Sequence, residues 1–405
     1  MAVQPSQARP RYSRGPMNLT LVLCFVAAVI EGIDIISFGL AAADLRSALG
    51  LDTREIALAA SASMAAFILG ALVAGRTSDR IGRKWVLISA MALIGLFSLA
   101  TSLVDSFEGL LAARALTGVG LGAAMPMFIA LAAEAGAPQG RVARVGVMLS
   151  GSPLGGILAS LFVASAWGAD WRAVFLLGGI APLALIPFLA LLISEARFTP
   201  APAMAPGQAC VSPLRSLFAN DAWVLTLLLW VGLLSNQVLT YIMFNWLPVL
   251  LRDLGFERWE ASMAMTTFMS AAVVGNIAIS RFMTGAGRWL VVTGVFVGVV
   301  TSLLAFGLPN LAFIGIAVVS GAAGLFILSA TVLLYGLATD IYPAAVRGTG
   351  VGAATAVGRL GAIGGPLLAG GLLQLGVVTG TLLPALAPFA ILGGVAAVCL
   401  ARKVR

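Results

Sequence analysis

Long hydrophobic stretches recur along the chain, with short polar loops between them. Each stretch contains roughly twenty residues or more, which is enough for an α-helix to cross the hydrocarbon core of a bilayer. We count twelve stretches, at 18–44, 56–75, 85–104, 109–133, 145–167, 172–193, 222–250, 260–283, 289–308, 311–338, 349–374 and 380–401. The pattern therefore predicts an all-α polytopic membrane protein with twelve transmembrane helices.

A segment of different composition separates the sixth and seventh stretches. It is rich in proline and alanine, and it is apolar only in patches. We therefore predict three regions: an N-terminal six-helix half at 1–195, a cytoplasmic linker at 196–221 and a C-terminal six-helix half at 222–405.

The two predicted halves share a loop sequence. Residues 75–84 follow the second stretch, and residues 280–289 follow the eighth stretch 205 residues later. Arginines and one glycine coincide between the two loops, but Thr284 stands in the place of Asp79. Two related halves around a central path are the plan of many secondary transporters, in which the substrate binds near the middle of the membrane.

Composition and charge support the membrane assignment. The chain is 60% hydrophobic and 10% charged, whereas soluble domains have roughly 25% charged residues. Of the 24 lysines and arginines, seventeen lie in the tails and loops of one side, five lie in the loops of the other side and two lie within stretches. This bias predicts that both termini are cytoplasmic. We expect the protein to lie in the inner (plasma) membrane. The net charge of +8 then reflects topology, so we expect no nucleic-acid partner.

The residue types that support metal or covalent chemistry are scarce. Histidine is absent, and the three cysteines, at 24, 210 and 399, are far apart in the sequence. We therefore expect no metal site, no disulfide framework and no cofactor. No nucleophile and base cluster together, so the sequence also argues against an enzyme.

Glu31 and Asp34 lie within the first stretch, three residues apart and so on one helix face. A carboxylate at membrane depth is costly, and it is usually functional and faces water or a partner. Mutual repulsion favours proton binding by one of the two, which makes them candidates for proton coupling. The alternative is that both acids pair with arginines and only hold helices together.

Two arginines also lie at membrane depth, Arg114 in the fourth stretch and Arg359 in the eleventh. Arginine stays charged, so each needs an anionic partner or water. One can pair with Glu31 or Asp34 and leave the other to bind a substrate carboxylate. A bound carboxylate then adds a negative charge that a proton neutralises, which gives a reason for symport. The structural alternatives are close packing beside glycines for Arg114 and a tie to Asp340 or to backbone carbonyls for Arg359.

Polar side chains recur at every fourth position of the seventh and tenth stretches. They are Gln237, Tyr241 and Asn245 in the seventh, and Thr331, Tyr335 and Thr339 in the tenth. Such stripes either line an aqueous path or join helices by hydrogen bonds. Tyr241 and Tyr335 are suited to hydrogen-bond and stack on an aromatic ligand.

The loop after the second stretch resembles the signature of the major facilitator superfamily between its second and third helices. The matching residues are Gly75, Asp79, Arg80, Gly82, Arg83 and Lys84. The resemblance implies the major facilitator fold and a gating loop that breaks its contacts as the halves rock. We expect the glycines to permit a tight turn and inter-loop salt bridges to involve Glu134, Arg141 and Arg144.

Three further stretches, at 31–34, 114–126 and 342–366, resemble motifs of the aromatic acid:proton symporter family. Within that family the chain is most similar to the 3-(3-hydroxyphenyl)propionate transporters, on residues 245–248 and 356–362. The resemblance implies proton-coupled uptake of a small aromatic carboxylate, with Glu31 and Asp34 at the family's acidic positions and protons as the coupling ion. We expect a monomer in the lipid bilayer.

Two other functions are compatible with the same scaffold. A proton-driven exporter of hydrophobic compounds is one, although buried arginines suit an anionic substrate better. A non-transporting membrane sensor is the other, although the chain has only short tails beside its helices.

Overall fold

The computed structural model describes residues 17–135, 141–193, 222–282, 288–342 and 347–403, which are almost entirely helical. Within these ranges no β-strand occurs and fourteen α-helices form. They are α1 (Met17–Leu49), α2 (Thr53–Ile81), α3 (Arg83–Ser102), α4 (Phe107–Glu134), α5 (Arg141–Leu149), α6 (Gly151–Ala164), α7 (Trp171–Leu192), α8 (Ala222–Asp253), α9 (Arg258–Phe282), α10 (Arg288–Ala305), α11 (Phe313–Ile341), α12 (Arg347–Gln374), α13 (Thr379–Ala385) and α14 (Ala387–Lys403).

Twelve segments in these ranges are long and apolar enough to cross a membrane. This confirms the predicted all-α fold with twelve transmembrane helices. The predicted linker at 196–221 lies outside the described residues, as do residues 283–287 of the repeated loop.

Two of the twelve spans are broken helices. The fifth span consists of α5 and α6, with a break at Ser150. Pro153 has no backbone N–H to donate to the carbonyl four residues earlier, which weakens the helix at this point. The twelfth span consists of α13 and α14, and Pro388 follows the break at Leu386 in the same way.

Local capping sets where several spans begin. The Asp52 side chain accepts a hydrogen bond of 2.7 Å from the backbone N–H of Glu55, and the Glu55 carboxylate accepts one of 2.9 Å from the backbone N–H of Asp52. This reciprocal pair satisfies two otherwise free N–H groups at the start of α2. Ser106 caps α4 through the N–H of Gly109.

The spans on either side of residues 194–221 pack mainly among themselves. In the first group, α1–α7, α4 packs on α2 and α3, while α1 packs on α6 and α7. In the second group, α8–α14, α8 packs on α12 and α14, while α11 packs on α9 and α10. The groups meet where α1 contacts α8, α2 contacts α12 and α6 contacts α9. The division of the chain into two halves at the linker stays a prediction. The contacts between the two groups define a boundary, and the candidate site is described relative to this boundary.

Glycines allow very close packing within the first group. A side chain at Gly118 or Gly122 of α4 would meet the backbone carbonyls of Ser63 and Phe67 of α2. Because only hydrogen fits there, α2 and α4 approach closely along this face.

The even number of spans places both ends of the described chain on one face of the membrane, which we call the terminal face. Charged residues at the other face, the opposite face, connect the two groups. They form a cluster that we call the opposite-face ion cluster: Asp44, Arg46, Arg252, Asp253 and Arg258.

Ion pairs across the boundary form within this cluster. Asp44 of α1 accepts from Arg258 at 2.8 Å and lies 3.8 Å from Arg252, while Arg46 pairs with Asp253. Arg258 also donates to the carbonyl oxygen of Gly168 at 2.5 Å. Among the side chains that the structure describes, every ion pair between the two groups lies on the opposite face. Ion pairs therefore join the two groups on that face.

Candidate substrate and proton site

Glu31 and Asp34 lie near the middle of α1 and are buried, with 4% and 0% of their surface exposed. The helix places them on one face, one turn apart. The groups that surround the two acids differ. This difference distinguishes Glu31 from Asp34, which the sequence analysis treated together as candidates for proton coupling.

Asp34 is held in an ion pair within the first group. Arg114 of α4 donates two hydrogen bonds to its carboxylate oxygens, both of 3.2 Å. Ser98 of α3 donates a third, of 2.6 Å, from its hydroxyl group. The Arg114 guanidinium carbon lies 5.5 Å from the ring centre of Phe38 and 5.9 Å from that of Phe175. The two charges therefore compensate each other, and two aromatic rings lie close to the Arg114 guanidinium.

Arg359 has a different environment, at the boundary between the groups. Its guanidinium lies 3.9 Å from the ring centre of Phe67 on α2 and donates to the hydroxyl oxygen of Tyr241 on α8 at 2.8 Å. A further guanidinium nitrogen lies 3.3 Å from the sulfur of Met125 on α4. Among the described residues, no carboxylate lies within ion-pair distance of Arg359. Its fixed charge is thus contacted by neutral groups and remains available for an anion.

Of the two structural alternatives for Arg359, a tie to Asp340 and a tie to backbone carbonyls, the ion pair with Asp340 is not found among the described residues. Asp340 lies at the C-terminal end of α11, where it accepts a hydrogen bond of 2.9 Å from Arg288. Arg288 begins α10, so this pair ties neighbouring helices of the second group together at the terminal face.

Glu31 lacks the ion pair that its neighbour has. Within the described part of the chain, no hydrogen bond or salt bridge to its carboxylate is found, and the charges that act on it include those of Arg359 and Asp34. Tyr241 in turn interacts electrostatically with Glu31, Arg359 and Tyr335. The structure therefore brings Glu31, Tyr241, Tyr335 and Arg359 into one neighbourhood.

The polar stripe predicted on α8 includes two residues whose side-chain contacts lie within the second group. Gln237 is buried, packs against Gly358 of α12 and leaves its side-chain oxygen without a hydrogen-bond partner. Asn245 instead donates to the backbone carbonyl of Tyr241, at 2.8 Å, within its own helix. This bond uses one of the two amide N–H groups, so the ligand-facing role of Asn245 stays a prediction.

The predicted stripe of α11 is only partly described. Thr331 accepts a hydrogen bond of 2.7 Å from the side chain of Asn236. Tyr335 is half-buried against the apolar core of the second group. The side chain of Thr339 lies outside the described part of the structure.

The gating loop differs from the expected turn at one of its two glycines. Gly75 lies inside α2, which continues to Ile81, so the prediction that it forms a turn is wrong. The turn is at Gly82, whose φ of 90° and ψ of 152° suit glycine. The helix continues past Gly75 because residues 76–81 contain no proline or further glycine that would end it.

The charged residues of this loop contact neighbouring helices of the first group. Arg83 pairs with Glu134 at the end of α4, so Glu134 does form an inter-loop ion pair, although its partner was not predicted. Lys84 donates to the carbonyl oxygen of Ala190 at 2.6 Å, and Arg80 is exposed. Arg144 donates to the carbonyl oxygens of Ala132 and Ala133. The side chains of Asp79 and Arg141 lie outside the described part.

The opposite-face ion cluster was missed by sequence reasoning. Arg46, Arg252 and Arg258 were counted only as outer-loop charges, and Asp44 and Asp253 were not considered. The available signal was the occurrence of opposite charges at the ends of the first and seventh stretches and the start of the eighth. Pairing them required knowing which helices meet across the boundary.

Residues 24–366 match the model of the Major Facilitator Superfamily. The chain is 39% identical to a 3-(3-hydroxyphenyl)propionate transporter of Escherichia coli (strain K12), over 96% of each chain. It is 33% identical to a gallate transporter of Pseudomonas putida, over 89% of this chain and 86% of that protein. It is 32% identical to a 4-hydroxybenzoate transporter of Pseudomonas aeruginosa, over 90% and 89%.

Solved structures agree on the fold. A bacterial homologue of the human lysosomal transporter Spinster, inward-facing and unoccupied, is similar with a TM-score of 0.77 and 17% identity, over 97% of this chain and 98% of that one. A D-xylose–proton symporter is similar with a TM-score of 0.76 and 16% identity, over 94% and 96%. The chain therefore belongs to the major facilitator superfamily, and it is a multi-pass membrane transporter rather than an enzyme.

Proposed function

We propose that this transporter takes up an aromatic carboxylate, such as a hydroxyphenylpropionate or a benzoate, together with protons, by alternating access. The observation that carries the proposal is the unequal state of the two buried arginines. Arg114 is neutralised by Asp34, whereas Arg359 lies at the boundary between the groups in contact with neutral side chains.

Arg359 is the residue proposed to bind the substrate carboxylate. A guanidinium matches a carboxylate with two parallel hydrogen bonds, and such pairs are stronger than neutral hydrogen bonds. Tyr241 already accepts from Arg359 at 2.8 Å, so its hydroxyl proton remains free to be donated to a substrate oxygen. The aromatic rings of Phe67 and Tyr241 beside the guanidinium suit an aromatic acid. The aromatic-acid relatives support this substrate class.

Glu31 is the residue proposed to load the proton in this conformation. It is buried without an ion pair, close to the charge of Arg359. When a substrate carboxylate pairs with Arg359, the compensation of Glu31 by that arginine is lost, and protonation of Glu31 restores neutrality. Asp34 has its own arginine, so we propose that it contributes to coupling only when the Arg114 pair opens.

Alternating access is proposed to use the boundary between the groups. The opposite-face ion cluster closes that face here, and the Spinster homologue that this chain resembles was solved inward-facing. We assign the terminal face to the cytoplasm because the loops of that side carry most of the lysines and arginines. Inward release then follows from opening at the terminal face, and the six-helix halves at 1–195 and 222–405 act as the two moving bodies. The inner membrane and a monomeric unit remain part of the proposal.

Uptake into proteoliposomes tests the proposal. Purified wild type is expected to accumulate radiolabelled 3-(3-hydroxyphenyl)propionate when a proton gradient is directed inward, and to accumulate little without it. Arg359→Ala should abolish this uptake, and Arg359→Lys should restore only a small part of it because lysine lacks the planar fork. Arg54→Ala, which removes an exposed arginine outside the site, serves as the control. Wild-type uptake of no aromatic acid, or full uptake by Arg359→Ala, would overturn the proposal.

A further inference from the structure

A cavity of about 200 Å³ lies at the boundary between the groups. Helices from both groups line it, with Gly32 and Ile35 on α1, Phe244 on α8, Met269 and Asn276 on α9, and Thr331 on α11. Most of the lining is apolar. A cavity of about 150 Å³ with apolar walls is known to accept benzene, so this one has room for an aromatic ring.

Two residues that line the cavity are neighbours of residues in the charged site. Gly32 directly follows Glu31 in the sequence. The ring of Phe244 lies 5.5 Å from the ring of Tyr241, whose hydroxyl group accepts from Arg359. Tyr241 and Phe244 thus link the guanidinium of Arg359 to the cavity.

Asn276 supplies an unpaired polar group in this cavity. Its side-chain oxygen is buried and has no hydrogen-bond partner within the described residues. Buried polar atoms without partners are rare because each loses its hydrogen bonds to water without replacement. By contrast, Thr331 already accepts from Asn236 at 2.7 Å and donates to the carbonyl oxygen of Ile327 at 3.4 Å.

We infer that this cavity binds the aromatic ring of the substrate and that Asn276 pairs with a hydroxyl group on that ring. This inference rests on the proposed function. An amide both donates and accepts, and so does a phenolic hydroxyl, so the two groups match in either orientation of the amide. The transporter should then prefer ring-hydroxylated acids to the same acids without the hydroxyl, because the unhydroxylated ring leaves the Asn276 oxygen unpaired.

The test compares two substrates that differ only in the hydroxyl group. Initial uptake of 3-(3-hydroxyphenyl)propionate and 3-phenylpropionate is measured in proteoliposomes for wild type, Asn276→Leu and Asn276→Ser. Wild type should prefer the hydroxylated acid by on the order of ten-fold in kcat/KM, the effect of one hydrogen bond. Asn276→Leu should lose most of this preference and retain uptake of 3-phenylpropionate. Asn276→Ser, which keeps a hydroxyl group in a smaller side chain, covers the case in which the leucine variant does not fold.

The outcomes separate this inference from the proposed function. An unchanged preference in both folded variants, with uptake still abolished by Arg359→Ala, overturns the role of Asn276 and leaves the proposed function standing. Equal losses for both substrates in both variants would show a structural role and overturn the inference. If wild type transports neither acid nor any benzoate, the proposed function fails and the ring site fails with it.

Discussion

The carboxylate of Asp34 and the guanidinium of Arg114 form a buried pair joined by two hydrogen bonds of 3.2 Å. This pair accounts for one acid and one arginine of the four charges at membrane depth. It leaves Glu31 and Arg359 as the charges able to respond to a proton and a substrate. The proposed coupling rests on this difference. Asp34 and Arg114 form an ion pair, which we call the fixed pair, whereas Glu31 and Arg359 have no ion-pair partner among the described residues.

Breaking the fixed pair should destabilise the protein. Asp34→Ala leaves Arg114 charged and buried, which in comparable pairs costs about 3–5 kcal/mol of unfolding free energy. Thermal unfolding in detergent should therefore show a large loss of stability for Asp34→Ala. Glu31→Gln, a change at a buried acid without an ion pair, is the control and should lower the unfolding temperature much less. Equal stability of both variants would contradict the assignment of the fixed pair.

The hydrogen bond between Arg359 and Tyr241 should affect substrate affinity modestly. Tyr241→Phe removes the hydroxyl group but keeps the ring, so the expected loss is about 1 kcal/mol, or roughly five-fold in Kd. Arg359→Ala removes the cation and should reduce affinity far more. Isothermal titration with the aromatic acid measures both. A larger loss for Tyr241→Phe than for Arg359→Ala would show that the tyrosine, not the arginine, carries binding.

The opposite-face ion cluster should control how often that face opens. Asp44 pairs with both Arg252 and Arg258, so Asp44→Asn removes two attractions between the groups. Spin labels at Ala48→Cys and Leu254→Cys, both exposed at the ends of α1 and α8, report the distance across the face. In a background without native cysteines, Asp44→Asn should shift the distance distribution to longer values.

The matched control for this experiment is Asp105→Asn. Asp105 is an exposed acid in a loop of the same face, and no ion pair to it is found among the described residues. Its substitution should leave the distance distribution as in wild type. A distribution unchanged by Asp44→Asn would show that the cluster does not hold the face closed.

The two glycines of the gating loop should respond in opposite ways to alanine. Gly82 has a φ of 90° and a ψ of 152°, so Gly82→Ala forces a strained backbone and should cost about 1–3 kcal/mol. Gly75 is exposed inside α2, and a side chain there would meet nothing within 4 Å. Gly75→Ala should therefore leave stability unchanged or raise it by about 0.5–1 kcal/mol. Destabilisation by both substitutions would contradict the helical position of Gly75.

Much of the fold was predictable because its signals are local. Twelve apolar stretches, the buried acids of the first and the arginines of the fourth and eleventh can each be identified within one segment. Membrane depth makes such charges conspicuous, since few segments tolerate them.

The pairing of these charges was not predictable in the same way. Arg114 lies 80 positions from Asp34, and Arg359 lies 118 positions from Tyr241. Which of them meet depends on the rotation and tilt of each helix, set by packing such as that of Gly118 against Ser63. Gly75 was misplaced for a simpler reason: the polar residues after it suggested a loop, but they continue the helix beyond the apolar stretch.

The central claim is that Glu31 couples the proton to transport while Arg359 binds the substrate. Two assays on Glu31→Gln proteoliposomes test it most directly: accumulation driven by a proton gradient, and exchange of labelled for unlabelled aromatic acid without a gradient. Exchange needs binding and alternating access but no net proton movement. The account predicts that Glu31→Gln keeps exchange and loses gradient-driven accumulation, whereas Arg359→Ala loses both. Gradient-driven accumulation at the wild-type level in Glu31→Gln would contradict it.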